Sequence, residues 1–269
     1  MHPIHDKIDR KGGSYMSEKR DYIAVFDSGV GGVSVLRELM KLMPQERYLY
    51  FGDSANAPYG TRPTSEVRAL TLAAAEKLMA RGCKALVVAC NTATAAAIKE
   101  LREIYPDKII IGIEPALKVA ADHFPGKEVG VMATPVTLRE EKFDILLHRF
   151  TDVCSVHKIP APGLVELVEH GKAESEETAA LLAPLLAPYR DRLAAIVLGC
   201  THYPFAAPVI QRLVGKNTAL LDGGPGTARQ TRRRLQAEGL LWNGLGELLI
   251  ENSAGSDETI ALCQKLLRG

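Results

Sequence analysis

The chain has 269 residues, 46% of them hydrophobic and 24% charged, a composition typical of an ordinary globular protein and not of a disordered one. Its 33 basic and 32 acidic side chains leave no global field to draw in nucleic acid or an anionic membrane, so any ligand must be recognised locally. The five cysteines, at positions 83, 90, 154, 200 and 263, are odd in number and lack CxxC spacing, which argues against a disulfide framework or a zinc cluster and for a reducing, cytoplasmic setting.

No stretch approaches the roughly 20 apolar residues needed to span a bilayer, and no apolar signal core stands near the N-terminus. Residues 1–20, polar and aperiodic with a second methionine at 16, read as a disordered leader. From Asp21 onward, short apolar runs alternate with helical periodicities, the pattern of an α/β protein with parallel sheets.

The predicted strands are 22–26, 48–51, 85–89, 109–113, 128–132, 153–157, 194–198 and 219–221. Helices are predicted over 33–42, 64–81, 92–104, 137–148, 164–170, 176–190 and 227–238. Asp222-Gly223-Gly224-Pro225-Gly226 reads as the loop before the last of these. The pattern restarts after Glu114-Pro115, which suggests two Rossmann-like lobes, 21–113 with 224–269 and 114–223, facing one another across a cleft. Cys90 and Cys200 lie 110 residues apart and Asp27 and Thr134 lie 107 apart, offsets that fit such a repeat.

Two of the predicted strands end on a cysteine: Val87-Val88-Ala89-Cys90-Asn91-Thr92 and Val197-Leu198-Gly199-Cys200-Thr201-His202. Ligands of parallel sheets bind at the carboxyl ends of strands. There each thiol would face the N-terminus of a following helix, whose dipole and free N–H groups favour thiolate. Two such positions suggest paired bases.

Asp27-Ser28-Gly29-Val30-Gly31-Gly32 is a tight turn whose N–H groups could hold a carboxylate or phosphate. It is not a dinucleotide fingerprint, because the sixth position counted from Gly29 is Ser34, and no Walker-type phosphate loop occurs. The loop around Asp53, Pro58, Tyr59 and Gly60 could close over a ligand, although Asp53 could equally bond its own turn. Asn91, Thr92, Thr201 and His202 offer hydrogen-bonding groups beside the cysteines, and Glu166 and Glu169 lie on a short helix. Cys83, Cys154 and Cys263 read as small buried hydrophobes, His123, His148, His157 and His170 as structural, and Arg232-Arg233-Arg234 as a solvated face.

Taken together, Phe26-Asp27-Ser28-Gly29-Val30-Gly31-Gly32, Pro58-Tyr59-Gly60, Cys90-Asn91-Thr92-Ala93, Leu167-Val168-Glu169 and Gly199-Cys200-Thr201-His202-Tyr203-Pro204 resemble the cofactor-independent glutamate racemases over nearly the whole chain. The resemblance implies Cys90 and Cys200 as catalytic thiols on opposite faces of the substrate α-carbon, Asp27 assisting Cys90, and Glu169 and His202 assisting Cys200. It implies Asp27, Ser28, Pro58, Tyr59, Gly60, Asn91, Thr92, Thr134, Thr137, Thr201 and His202 as substrate contacts, with no cofactor and no metal. It further implies a homodimer, supply of D-glutamate to peptidoglycan synthesis, and a cell-wall precursor as regulator.

The chain departs from the family at Ala161-Pro162, where a non-catalytic cysteine is common, and at Asp222-Gly223-Gly224, where a hydroxyl residue often follows the aspartate. The alternatives are an aspartate or hydantoin racemase of the same plan, or a non-catalytic amino-acid-binding protein. His202 favours glutamate, since aspartate relatives usually carry an acidic residue there. A pyridoxal phosphate racemase would need a Schiff-base lysine, and none stands at a strand end.

Overall fold

The computed structural model describes residues 22–139, 141–150 and 152–269. The leader predicted at 1–20 lies outside the described residues. Five strands, β1 (Ile23–Asp27), β2 (Arg47–Gly52), β3 (Ala85–Val88), β4 (Ile109–Gly112) and β9 (Glu247–Asn252), form one sheet in the order β4-β3-β1-β2-β9. Four more, β5 (Glu128–Ala133), β6 (Ser155–Pro160), β7 (Ala195–Leu198) and β8 (Ala219–Asp222), form the second in the order β6-β5-β7-β8. Every pairing in both sheets is parallel.

Parallel strands buried on both faces need continuous apolar runs. In β1, Ile23 and Val25 point into one core while Ala24 and Phe26 point into another. The first of these cores is shared by both sheets: it also holds Ile159, Leu164, Ile196 and Tyr203. Helix α1 (Val33–Leu42) packs there through Val33, Val35, Leu36 and Leu39. On the other face of the first sheet lie α2 (Thr64–Ala80) and α3 (Asn91–Ile104), with Val67, Leu78, Ala97 and Leu101 buried.

Each sheet reverses direction at one point. In the first, β1 is flanked by β2 and β3, so the crevice opens beyond the ends of β1 and β3. In the second, β5 is flanked by β6 and β7, and the crevice opens beyond β5 and β7. Asp27 and Cys90 stand at the first switch point, Thr134 and Cys200 at the second.

Several predicted elements differ in extent. The helix expected over 137–148 is a 3-10 turn, Thr137–Arg139, and a separate helix α5 (Glu141–His148). Thr134 Oγ1 accepts the Thr137 N–H at 3.2 Å and so caps the turn locally. The strand expected over 153–157 begins two residues later, because its register with β5 starts at Glu128↔Ser155. The helix expected over 176–190 ends as α7 (Glu176–Leu186), followed by a 3-10 turn at Ala187–Tyr189, since Pro188 has no N–H with which to continue the helical hydrogen-bond ladder.

Conversely, the expected loop Gly224-Pro225-Gly226 is the first turn of α9 (Gly224–Ala237), where the missing proline N–H costs nothing. Four elements were not predicted: α4 (Leu117–His123), α8 (Ala207–Val214), β9 and α10 (Asp257–Arg268). α6 spans Leu164–Glu169, as predicted to within one residue.

Candidate active site

Asp27 closes β1 and is fully buried. Its Oδ1 accepts the Gly29 N–H at 3.0 Å and its Oδ2 the Thr201 hydroxyl at 3.1 Å, a contact between the two sheets. Burial pushes its carboxyl from 3.8 up to about 6, against the pull of His202 and these donors.

Cys90 follows β3 and caps α3: its sulfur accepts the Ala93 N–H at 3.4 Å and lies 3.5 Å from Ser28 Oγ. A helix N-terminus there was expected to favour thiolate. The structure reverses that expectation, because burial and then the negative charge of Asp27 push the Cys90 thiol up to about 12, outweighing both donors. Cys90 holds its proton.

Cys200 is only half-buried. No α-helix starts at its side; a 3-10 turn, Tyr203–Ala206, intervenes before α8. In place of a helix dipole it has His202, whose Nδ1 is 3.7 Å from Sγ. His202 Nε2 lies 2.6 Å from Glu169 Oε1, which also accepts the Val30 N–H at 2.9 Å. Burial alone would lower the His202 pKa, but Cys200 and Glu169 outweigh it and hold the imidazole well above its ordinary value. Burial likewise works to raise Glu169, and His202 with the Val30 N–H overcomes it, so its carboxyl stays below the usual range. Each of these two side chains keeps the other charged.

The Asp27–Gly32 turn is pressed against this second wall. A Cβ on Gly29 would stand 2.0 Å from Glu169 Oε1, and one on Gly31 would stand 2.4 Å from His202 Nδ1. Two of the N–H groups that the sequence leaves open for a carboxylate or phosphate ligand are instead taken by the protein's own carboxylates, Gly29 N–H by Asp27 and Val30 N–H by Glu169. Ser34 Oγ adds a further bridge, donating to the Thr201 carbonyl at 2.9 Å.

Among the predicted contacts, Thr201 and His202 are buried beside Asp27 and Glu169. Asn91 and Thr92 form the half-buried first turn of α3, and Asn91 Oδ1 is buried with no hydrogen-bond partner. Thr134 and Thr137 share a hydroxyl contact of 2.9 Å, and Gly60 sits against Thr134, where a Cβ would be 3.1 Å from its Cγ2. The Pro58-Tyr59-Gly60 loop thus reaches the second sheet. The Tyr59 hydroxyl itself is committed to Asp53 at 2.6 Å, and Asn56 donates to the same carboxylate. A cavity of about 350 Å³ at the seam touches Asn91, Thr92 and Thr137 along with Arg62, Lys99 and Arg149, but neither cysteine.

Most other sequence candidates lie apart. Cys83, Cys154 and Cys263 are buried, and burial raises all three thiols, Cys263 on α10 being close enough to Glu169 and Asp27 to feel their charge as well. Glu166 is exposed, His157 pairs with Glu128 at 2.7 Å, and His170 bonds the Glu166 carbonyl. Arg232 and Arg233 are exposed as expected. Among the described residues, no three His, Cys, Asp or Glu side chains converge in a group that could hold a metal ion. Sequence reasoning missed Tyr50 and Ser34, a strand residue and a helix residue with nothing local to mark them.

A family model described as Asp/Glu/Hydantoin racemase matches residues 31–231. A curated glutamate racemase from Clostridium perfringens is 47% identical over 248 residues, 91% of this chain and 95% of that protein. A crystal structure of glutamate racemase from Thermus thermophilus, in complex with beta-chloro-D-alanine, superposes with a TM-score of 0.79 at 36% identity, covering 92% of this chain and 93% of that one. The Escherichia coli enzyme, solved with L-glutamate and the activator UDP-MurNAc-ala, gives 0.81 at 28% identity, covering 92% and 96%.

Proposed function

The chain belongs to the Asp/Glu/hydantoin racemase family, and from that premise we propose that it inverts the α-carbon of glutamate by proton transfer between two thiols, Cys90 and Cys200. The single observation that carries this reading is their placement: each follows a strand at the switch point of its own sheet, and the turns beside them are bonded across the seam.

Inversion needs a base on one face of the carbon and an acid on the other. The two walls are suited to unequal parts. Cys90, buried beside the Asp27 carboxylate, keeps a proton to give. Cys200 stands at the end of a Cys200, His202, Glu169 chain, where an imidazolium can donate to sulfur on one side and to carboxylate on the other.

The α-proton is far less acidic than any side chain, so the developing carbanion needs fixed donors in a site that excludes water. In this reading Ser28, Asn91, Thr92, Thr134, Thr137 and Thr201 hold the substrate's charged ends: Ser28 lies beside Cys90, Thr134 and Thr137 share a hydroxyl contact, and the unpartnered Asn91 Oδ1 is an acceptor suited to the ammonium. After one turnover the two walls have exchanged protonation states and are set for the opposite enantiomer.

The D-glutamate formed supplies peptidoglycan synthesis. The same likeness extends the reading to a homodimer, a cytoplasmic setting, and regulation by a cell-wall precursor, since the E. coli relative was solved with one. No helix among the described residues is long and apolar enough to cross a membrane.

Proton NMR of L-glutamate and L-aspartate in heavy water tests the reaction. The α-proton signal is expected to vanish for glutamate alone. Cys90→Ser and Cys200→Ser should each slow turnover by roughly 10²- to 10⁴-fold, the usual worth of one acid or base. Exchange of neither amino acid, or a serine variant racemising at the wild-type rate, refutes the reading.

A further inference from the structure

Tyr50 lies within β2 with no exposed surface, and nothing in the sequence separates it from its core neighbours. Its hydroxyl nevertheless donates to the Gly29 carbonyl oxygen at 2.6 Å. That carbonyl belongs to the same peptide unit as the Val30 N–H, which donates to Glu169 Oε1. From there the chain runs through His202 Nε2 at 2.6 Å to the Cys200 sulfur, 3.7 Å from Nδ1.

Resting on the two-thiol reading, we infer that Tyr50 is a positioning residue for the Cys200 thiol, acting through the Gly29–Val30 peptide unit, Glu169 and His202. A donor on a carbonyl oxygen withdraws charge from the amide and makes its N–H a stronger donor, an effect that accumulates along hydrogen-bonded chains in a dry interior. The planar peptide unit also fixes the direction of the N–H once its oxygen is held. Tyr50 thereby sets both the aim and the strength of the bond that seats Glu169 behind His202. Gly29 is part of the device, because any side chain there would collide with the Glu169 carboxylate.

Tyr48, two residues earlier on the same strand, supplies the contrast. It is equally buried, but its hydroxyl donates to the Leu39 and Met43 carbonyls at the end of α1, remote from both thiols. The titratable groups around Glu169 are His202 from the turn after β7, Asp27 and Tyr50 from the first sheet, Cys263 from α10, and His170 just beyond its own helix.

The test compares Tyr50→Phe with Tyr48→Phe in the full-length enzyme, by pH profiles of kcat and KM. Tyr50→Phe is expected to lower kcat about three- to tenfold, as for a charged hydrogen bond weakened but not lost, with KM within about twofold. Its acid limb should move to higher pH, because Glu169 with a poorer donor takes a proton more readily. Tyr48→Phe should leave the profile in place even if it lowers Tm. A Tyr50→Phe profile superimposed on wild type, or an equal displacement by Tyr48→Phe, overturns the assignment.

Should Tyr50→Phe fail to fold, 3-fluorotyrosine incorporated at position 50 provides a stronger donor of nearly the same shape. Its acid limb is expected at lower pH, and an unmoved limb overturns the assignment. The serine variants at Cys90 and Cys200 separate the two readings. If they are inactive while the Tyr50→Phe profile is unchanged, only the role of Tyr50 falls; if they racemise normally, the two-thiol reading falls with it.

Discussion

Asp27→Asn should make the protein more stable and less active. The Asp27 carboxyl is fully buried, and its pKa stands at about 6 where 3.8 is ordinary. At about 1.4 kcal/mol per pKa unit this difference is worth about 3 kcal/mol of destabilisation once the group is ionised. The sign follows from linkage: the folded state binds this proton more tightly than the unfolded chain, so the cost is absent below about pH 4, grows as pH rises, and is complete above about pH 6. Asparagine removes the charge and keeps the contacts. Its oxygen can accept from the Gly29 N–H, and its amide can donate to the Thr201 hydroxyl, which then accepts.

Urea denaturation of wild type and Asp27→Asn at several pH values between about 4 and 8 measures the difference directly. It should be near zero at the acid end and reach at most about 3 kcal/mol in favour of the variant at neutral pH. Racemisation should meanwhile fall about tenfold or more, since the carboxylate that holds the Cys90 proton is gone. A variant less stable than wild type at neutral pH, or a stability gap that does not change with pH, refutes the argument.

Glu169→Gln removes the negative partner that helps keep His202 protonated, so the basic limb of the kcat/KM profile should move to lower pH; a limb that stays or rises contradicts the pairing. Gly29→Ala places a methyl 2.0 Å from Glu169 Oε1 and so displaces a carboxylate held by the Val30 N–H and His202. Its Tm should therefore fall as that ion pair is disrupted, and kcat should fall about as far as in Glu169→Gln, roughly tenfold or more. Thermal unfolding with kinetics on the same preparation checks this, and turnover within about twofold of wild type would show that the Val30 to Glu169 contact is dispensable.

The central strands were legible because burial on both faces demands unbroken apolar runs, and β1, β3 and β7 fall within one residue of their predicted bounds. The missed elements lack that demand. β9, Glu247-Leu248-Leu249-Ile250-Glu251-Asn252, is an edge strand with its residues only half-buried or exposed, and its place beside β2 depends on pairing residues 200 positions apart in the chain. α8 begins just after Tyr203-Pro204-Phe205-Ala206, whose proline and aromatics gave no helical period. Pro188, with no N–H to continue the ladder, decided where the predicted helix over 176–190 broke, a local contest that hydrophobic period does not register.

At the site, the residue types were legible and their partnerships were not. Asp27 meets Thr201 and Val30 meets Glu169 only when two lobes close, so the glycine turn looked like an open anion site when it is filled by the protein's own carboxylates. The thiolate expectation failed on magnitude. A helix N-terminus contributes about 0.3–1 kcal/mol, up to about 2 when partly buried. Lifting the Cys90 thiol from 9.0 to about 12 corresponds to about 4 kcal/mol the other way, with burial and Asp27 as its leading causes. Burial therefore decides the protonation of Cys90, and the ion pair of His202 with Glu169 falls to the Cys200 wall. Two thiols placed alike by their strands become unlike through what each lobe presses against the other.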